Sequence, residues 1–318
     1  MKPSKALVTG VSGQDGSYLA ELLLAQGRRV VGTVRPGSNV SDYLPSDVDL
    51  IPCDLGDHAG LEAVIKRVQP MEIYHLAAPT FVPESWEDPT TVLKLIPEAT
   101  SVILTAARHA ASKPRVFLAS SAEIFGDTTE SPQTESSPKN PTSPYGVAKL
   151  AAFGLARAMR EHHGQFVVNG ILFNHESPRR PERFLPRKVS LGVAAIKAGK
   201  QDQLELGDLG TVRDWSHARD IMAGAILAIE ADRPDDYILA SGVGHSVQDL
   251  VDAGFRSVGL DSARYLKTSA QFQRRKEAVP MTGDSTKARQ SLGWTPQVSF
   301  DQLIEEMVAS DLAAATAT

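Results

Sequence analysis

Tyr145 and Lys149 stand four residues apart in the segment SPYGVAKL. On a helix that spacing places both side chains on one face. An ammonium beside a phenol favours the phenolate, so this tyrosine can take a proton near neutral pH, which an ordinary tyrosine with a pKa of about 10 cannot. Upstream, the apolar run VFLA at 116–119 ends in SSAEIFG. A buried strand has no structural use for two hydroxyls and a carboxylate at its tip. Ser121 and Glu123 are therefore candidates to join Tyr145 and Lys149 in acid–base chemistry. A Y-x-x-x-K pair alone is frequent by chance. Its weight comes from the strand ending in Ser120-Ser121 and from the nucleotide-binding pattern around it.

Those residues need a scaffold. The first half of the chain alternates strand-like and helix-like segments: ALVT at 6–9, a helix at 17–26 with Tyr18, Leu19, Leu22 and Leu23 on one face, RVVGTV at 29–34, a helix at 61–68, IYHLAA at 73–78, VFLA, a helix at about 144–162 closed by Gly164, and a strand at 166–173. Near-continuous apolar strands alternating with helices predict an α/β fold built on a doubly wound parallel (Rossmann) sheet. After Phe173 the pattern loosens into a proline- and arginine-rich stretch, a helix at 189–198 and short strand-like pieces. SVQD at 246–249 and SFDQ at 299–302 are capping boxes that open two late helices. The expected division is a cofactor domain over 1–173, to which some later segments return, and a smaller α/β domain over 174–318 that covers the strand ends and binds substrate. The tail DLAAATAT is expected to fray.

Gly10, Gly13 and Gly16 lie between the first strand and its helix as G-x-x-G-x-x-G, flanking Gln14 and Asp15. The first permits the tight turn, the second lets a pyrophosphate approach the backbone, and the third allows close helix–strand packing, with the helix N-terminus facing the phosphates. That context favours a dinucleotide site over a plain tight turn. NAD enzymes commonly end the second strand in an acid that holds the ribose hydroxyls. Here it ends Thr33-Val34-Arg35, and Arg35 can meet a 2′-phosphate, which favours NADP; the alternative is a solvated loop arginine. Asp54, beside Leu55, follows another short apolar run and either reaches the adenine or caps a helix. Leu76 and Ala77, in the third strand's last residues, complete the expected cofactor lining.

The chain has 318 residues, 42% hydrophobic and 22% charged, with net charge −5 and both signs interspersed. That balance argues against a nucleic-acid footprint. The local exception is Arg179, Arg180, Arg183, Arg187 and Lys188, a basic cluster suited to a small anion. Cys53 is the single cysteine, so neither an intrachain disulfide nor a cysteine metal site is expected, and a reducing cytoplasm fits. No metal is expected: His75, His175 and His245 lack ligand spacing and are taken as structural. No signal-like segment precedes the first strand and no window reaches about 18 apolar residues, so no membrane span is expected.

The stretches ALVTGVSGQDGSYLAELL, SSAEIFG, SPYGVAKL, VNGILFNHESPRR, VRDW, HSVQDLV and GDSTKARQSLGWTP run nearly end to end. In them the chain resembles the extended short-chain dehydrogenase/reductases, and within these the GDP-mannose 4,6-dehydratases; NHESPRR with VRDW is far more specific than the glycines. The resemblance implies that Tyr145 takes the O4 proton of a hexose while C4 gives hydride to NADP⁺, with Tyr145 and Lys149 also contacting the cofactor. The 4-ketone acidifies C5–H, Glu123 removes that proton and helps water leave from C6, and the hydride returns to C6. Ser121 holds the O4 region where the family usually carries threonine. Thr80, Ser85, Asn174, Arg180, Lys188, Arg213, Arg274 and Glu277 are implied to line the sugar-nucleotide site. Arginine forks suit a diphosphate. Glu277 either accepts from guanine or pairs with Arg274 or Arg275.

Three departures bear on this. Ala122 stands where the family usually has serine. Pro79-Thr80 replaces a usual glutamine-serine. The 35–54 stretch, which in the family reaches a neighbour's cofactor site in a tetramer, is short, which leaves a helix-bundle homodimer as the expectation and puts the tetramer in doubt. A 4-keto-6-deoxy sugar-nucleotide reductase or a 4-epimerase shares SSxExxG, YxxxK and the R-x-x-E-x-V-P pattern ending at Pro280; NHESPRR favours the dehydratase. A silent NADP-sensing binding protein is the reading from another class, against which the intact Ser121, Tyr145 and Lys149 speak.

Overall fold

The computed structural model describes residues 4–269 and 279–317. Its main sheet has seven strands: β1 (Lys5–Thr9), β2 (Arg29–Val34), β3 (Asp49–Pro52), β4 (Glu72–His75), β5 (Arg115–Ser121), β6 (Val167–Leu172) and, late in the chain, β10 (Asp236–Leu239). They lie in the order β10-β6-β5-β4-β1-β2-β3, every neighbouring pair parallel. The order reverses between β1 and β4, so a crevice opens beyond the carboxyl ends of these two strands, where doubly wound sheets bind ligands.

The inner strands are apolar on both sides because helices cover both faces. On one face α1 (Gln14–Ala25) and α7 (Ala218–Glu230) bury Leu19, Leu23, Ile221 and Ile226 against Val8, Tyr74 and Phe117. On the other, α2 (His58–Val68) and α4 (Pro89–His109) bury Leu61, Ile65, Ile103 and Leu104 against Leu7, Ile73 and Val116. Val116 and Phe117, adjacent in β5, thus serve opposite cores. Beside α4, on the same face, packs α5 (Pro144–His163), and the short α3 (Val82–Glu87) precedes α4 along the chain.

The smaller part holds a three-stranded sheet, β11 (Gly244–Ser246), β9 (Val212–His217) and β7 (Asn174–Glu176), and the pair β8 (Leu204–Leu206) and β12 (Leu266–Thr268). Helices α6 (Leu185–Lys197), α8 (Val247–Ser257) and α10 (Phe300–Thr316) close over a core of Val193, Trp215, Phe255 and Met307. Both late capping boxes are formed, Ser246 with Asp249 and Ser299 with Gln302. The short α9 (Thr286–Leu292) precedes Trp294, whose indole donates to the Asp220 carbonyl on α7.

The structure departs from sequence expectation in four places. The strand expected at 73–78 stops at His75, because the Leu76 and Ala77 amides leave the ladder and donate to the Thr9 hydroxyl. The apolar run before Asp54 is an edge strand, β3. Helix α4 was not legible as one element, since Pro97 lies inside it. Among the described residues α4 is the helix long and apolar enough to cross a membrane by length and composition; Lys94 and Glu98 on its exposed side and its packing on α2 and α5 account for that as a core helix. The tail does not fray before Thr316. Alanines favour helix, and buried Asp311 pins α10 by accepting from Ser190 and pairing with Arg187 at 2.6 Å.

Candidate active site

The glycine turn opens directly beyond β1. Gly10 is left-handed at φ 71°, and a Cβ there would press on Ala77, just past β4, at about 3.0 Å. A Cβ on Gly16 would lie 2.4 Å from the Gly10 carbonyl, so this glycine lets the first turn of α1 sit against the turn itself. Gly13 is exposed and caps α1 without a side-chain hydrogen bond. The first amides of α1 therefore face outward with a positive helix end behind them, a cradle that fits a dinucleotide pyrophosphate. Arg35 is exposed just after β2. Asp54 accepts from the Gly56 amide; the cap of α2 is Asp57, which accepts from Gly60. Leu55 packs under the same edge.

The catalytic candidates meet where β5 ends and α5 begins. Ser121 ends β5, and its hydroxyl accepts from the Glu123 amide at 3.2 Å and hydrogen-bonds the Tyr145 phenol. A single 3₁₀ turn over Ala122–Ile124 then carries Glu123. Ser143 caps α5 by accepting from Gly146, and Pro144 starts it, so Tyr145 falls in the first turn and Lys149 one turn on. The Lys149 ammonium lies 5.7 Å from the Tyr145 ring centre and donates to the Ala119 carbonyl at 2.7 Å. That bond ties α5 to β5 behind the reacting groups.

Burial pushes the Tyr145 phenol above its usual range; the Ser121 hydrogen bond pulls it down, Glu123 and Asp15 push it up, and Arg180 pulls it down. Burial lowers the Lys149 ammonium to about 8, partly offset by Asp15, so it remains cationic near neutral pH. His75 is held neutral, at about 3, by burial and by Lys149. Its tautomer follows from its neighbour: Thr9 Oγ1 already accepts from two amides, so it donates to His75 Nδ1 at 2.7 Å and the proton sits on Nε2.

On the substrate side the structure brings Arg180 to the corner. Its guanidinium stacks 3.6 Å over Phe184 and pairs with buried Glu176 at 3.0 Å. Asn174 opens β7. Ser85 is buried with its hydroxyl donating to the Val82 carbonyl, whereas Thr80 is exposed. Lys188 donates to the Glu205 carbonyl and Arg213 to that of Val212. Arg274 and Glu277 lie outside the described residues. Ala122 faces Phe125 and Phe153 in an apolar cluster.

The basic cluster expected to await an anion is not a cluster. Arg179 stacks 3.7 Å over Tyr18 and pairs with Glu21, Arg183 pairs with Glu84, and Arg187 pairs with Asp311 and donates to the Pro178 carbonyl. Their side chains diverge to separate elements because the 178–187 stretch runs between α1, α3 and α10. Two organising residues escaped the sequence reading. Asp214 in VRDW is fully buried and accepts from the Ser241 and Gly242 amides, with Gly283 at 3.3 Å. Gln133 fastens the 126–143 loop by donating to the Pro280 carbonyl and accepting from the Thr282 amide. Gln14, expected at the cofactor turn, also donates to the His175 carbonyl and accepts from Ser177. Among the described residues no group of three metal-ligating side chains gathers.

Comparison with known proteins shows the family. The sequence profile of the family described as GDP-mannose 4,6 dehydratase matches residues 7–307. The chain is 38% identical to GDP-mannose 4,6 dehydratase 2 of Arabidopsis thaliana, covering 98% of this chain and 88% of that one. It is 36% identical to the GDP-mannose 4,6-dehydratase of Vibrio cholerae, covering 97% and 94%. Among solved structures, the dTDP-glucose 4,6-dehydratase of Streptomyces venezuelae, which holds NAD, superposes with a TM-score of 0.84 at 25% identity over 96% of both chains. The UDP-glucose 4-epimerase of Thermus thermophilus gives 0.85 at 23% over 98% and 99%, a likeness of fold. A family match over nearly the whole length, on top of a Ser–Glu–Tyr–Lys corner beside a dinucleotide turn, establishes that this chain belongs to the GDP-mannose 4,6-dehydratase family.

Proposed function

We propose that the protein is a sugar-nucleotide 4,6-dehydratase that converts a GDP-hexose of the GDP-mannose type to its 4-keto-6-deoxy product, with NADP as the recycled cofactor. The observation that carries this is the placement of Glu123 two residues beyond Ser121, whose hydroxyl also bonds the Tyr145 phenol. One side chain then serves carbon four and the next serves carbon five. Gly10, Gly13, Gly16 and the α1 amides would hold the pyrophosphate, Arg35 the 2′-phosphate, and Asp54, Leu55, Leu76 and Ala77 the walls. Held there, a nicotinamide would supply the hydride acceptor for C4 and the hydride donor for C6. Tyr145 removes the O4 proton, the Ser121 hydrogen bond and the Arg180 charge favouring its phenolate against the burial that opposes it. Ser121 donates to the developing carbonyl. Glu123 takes the C5 proton, acidified by the neighbouring ketone, and passes a proton to the departing C6 hydroxyl. Asn174, Arg180, Lys188 and Arg213 serve the nucleotide diphosphate.

The working form is a homodimer. Leu93 on α4 and Val147 on α5 are 42% and 44% exposed on the outer face of a helix pair, an apolar surface that a second copy's helices would cover. The short 35–48 loop leans on its own subunit, with Tyr43 5.0 Å from Arg179. The test of the reaction is mass spectrometry after incubation with GDP-, UDP-, CDP- and ADP-hexoses. Loss of one water from a GDP-hexose without net cofactor change is expected. Net oxidation of NADPH against a 4-keto-6-deoxy sugar would make the protein a reductase instead.

A further inference from the structure

The cofactor turn and the substrate strand are joined by a set of contacts that the reaction scheme does not use. His175 lies between two acceptors. Its Nδ1 is 2.7 Å from the Phe173 carbonyl and its Nε2 is 3.0 Å from Asp15 Oδ2. A carbonyl can only accept, and so can an ionised carboxylate. A neutral imidazole has one N–H and satisfies only one of them. Both bonds form together when the ring carries two protons. Around this pair, Gln14 donates to the His175 carbonyl at 3.1 Å and to Asp15 Oδ1 at 3.1 Å, and Ser177 donates to Gln14 at 2.8 Å. Gln14 and Asp15 thus clasp residues 175–177 at the site where α1 presents its amides to a pyrophosphate, and Asn174 is the next residue along.

We propose that His175 is a positioning residue: as an imidazolium bridging Phe173 and Asp15, it neutralises the carboxylate beside the pyrophosphate cradle and locks the cofactor turn to the strand that carries Asn174. The inference rests on the cofactor site assigned above. Without the proton, Asp15 loses its nearest counter-charge beside the place an anionic ligand must occupy, and the clasp loses one of its bonds.

The charged groups facing His175 agree in sign. Burial and Arg180 lower its pKa, but Asp15 on α1 and the Phe173 carbonyl together raise it, and the net direction is upward. Asp15 is held below its usual range despite burial, chiefly by His175. Glu176 on the same strand is raised by burial and pairs with Arg180. Lys149 on α5 interacts with Asp15, and Tyr145 on α5 interacts with Glu123, Arg180 and Asp15. From β9, the register partner of His175 is the uncharged Ser216. A raised histidine pKa means the clasp is complete below the ordinary histidine value and is lost as pH rises through the folded one; a lowered Asp15 pKa means it is also lost at acid pH.

The experiment has two readouts on the whole protein. Histidine ring NMR reports the protonation of His175, assigned by its loss in His175→Gln. NADPH binding, followed by fluorescence across neutral to mildly alkaline pH, reports the coupling. Wild type should show a doubly protonated ring at pH 7 and an affinity that weakens as that ring titrates. His175→Gln should weaken NADPH about tenfold at the lower pH, on the order of one charge-assisted bond, flatten the pH dependence, and lower kcat at saturating cofactor much less. Asp15→Asn keeps the shape and removes the charge; it should bring the His175 titration down toward the ordinary value, and it carries the test if His175→Gln folds poorly. A neutral His175 at pH 7 in wild type, or an unchanged pH profile in both variants, overturns the proposal. Failure of wild type to bind either nicotinamide dinucleotide would instead overturn the cofactor site, and the ring NMR separates the two results.

Discussion

At the junction of β5 and α5, Ser121, Glu123, Tyr145 and Lys149 are placed by backbone: a strand end, one 3₁₀ turn, and the first two turns of a capped helix. In the arginine-rich segment after β7, the charges are placed by their partners. Arg179 goes to Glu21, Arg180 to Glu176, Arg183 to Glu84 and Arg187 to Asp311. In the first region the backbone positions follow from local structure, with Lys149 fixed further by its bond to the Ala119 carbonyl. In the second, all but Arg180, which pairs with Glu176 four residues back, reach to elements distant in sequence. A cluster along the chain is a cluster in space only when the side chains are short enough for the backbone to decide.

The comparison predicts where substitutions are felt in chemistry and where in stability. The largest effect belongs to the first region. Glu123→Gln should cost about 10²–10⁴-fold in the rate of water loss, the usual weight of a general base, while oxidation at C4 survives and reduced cofactor accumulates on the protein. Water loss at an undiminished rate would remove Glu123 from the mechanism. In the second region the largest effect is structural. Asp311→Ala strands Arg187 and should lower stability by about 3 kcal/mol, read as a fall in the urea midpoint, with kcat of the folded fraction retained.

Smaller effects sharpen the contrast. Arg35 lies on neither side: it is exposed and placed by the end of β2. Arg35→Asp should erase or reverse an NADP preference of about tenfold or more, the weight of a charge-assisted contact, measured by titration with both cofactors. Equal affinities in wild type would end that assignment. Arg183 pairs with Glu84 with both side chains largely in solvent, so Arg183→Ala should cost less than about 1 kcal/mol and leave turnover intact. A large loss there would mean that the segment does act as one anion site.

The main sheet and the catalytic corner were legible in the chain because both rest on local rules. Period and glycine spacing give strand, turn and helix, and the i to i+4 spacing puts Tyr145 and Lys149 on one face. What was hidden depends on contacts distant in sequence. His175, 160 residues from Asp15, carries no local sign of an ion pair. Asp214 reads as one more acid until the strand folds its carboxylate under the Ser241–Gly242 turn. Helix α4 was obscured by Pro97, which a long packed helix tolerates at the cost of one backbone bond, and the tail read as frayed because Asp311's anchor is on α6.

The central claim is that one cofactor molecule takes hydrogen from C4 and returns it to C6 around an elimination assisted by Glu123. GDP-mannose carrying deuterium at C4 tests it most directly, with unlabelled NADPH added in excess. The account predicts a product lighter by one water, with the deuterium at C6 and a solvent-derived hydrogen at C5. Deuterium retained at C4, or lost to the added cofactor, would contradict it.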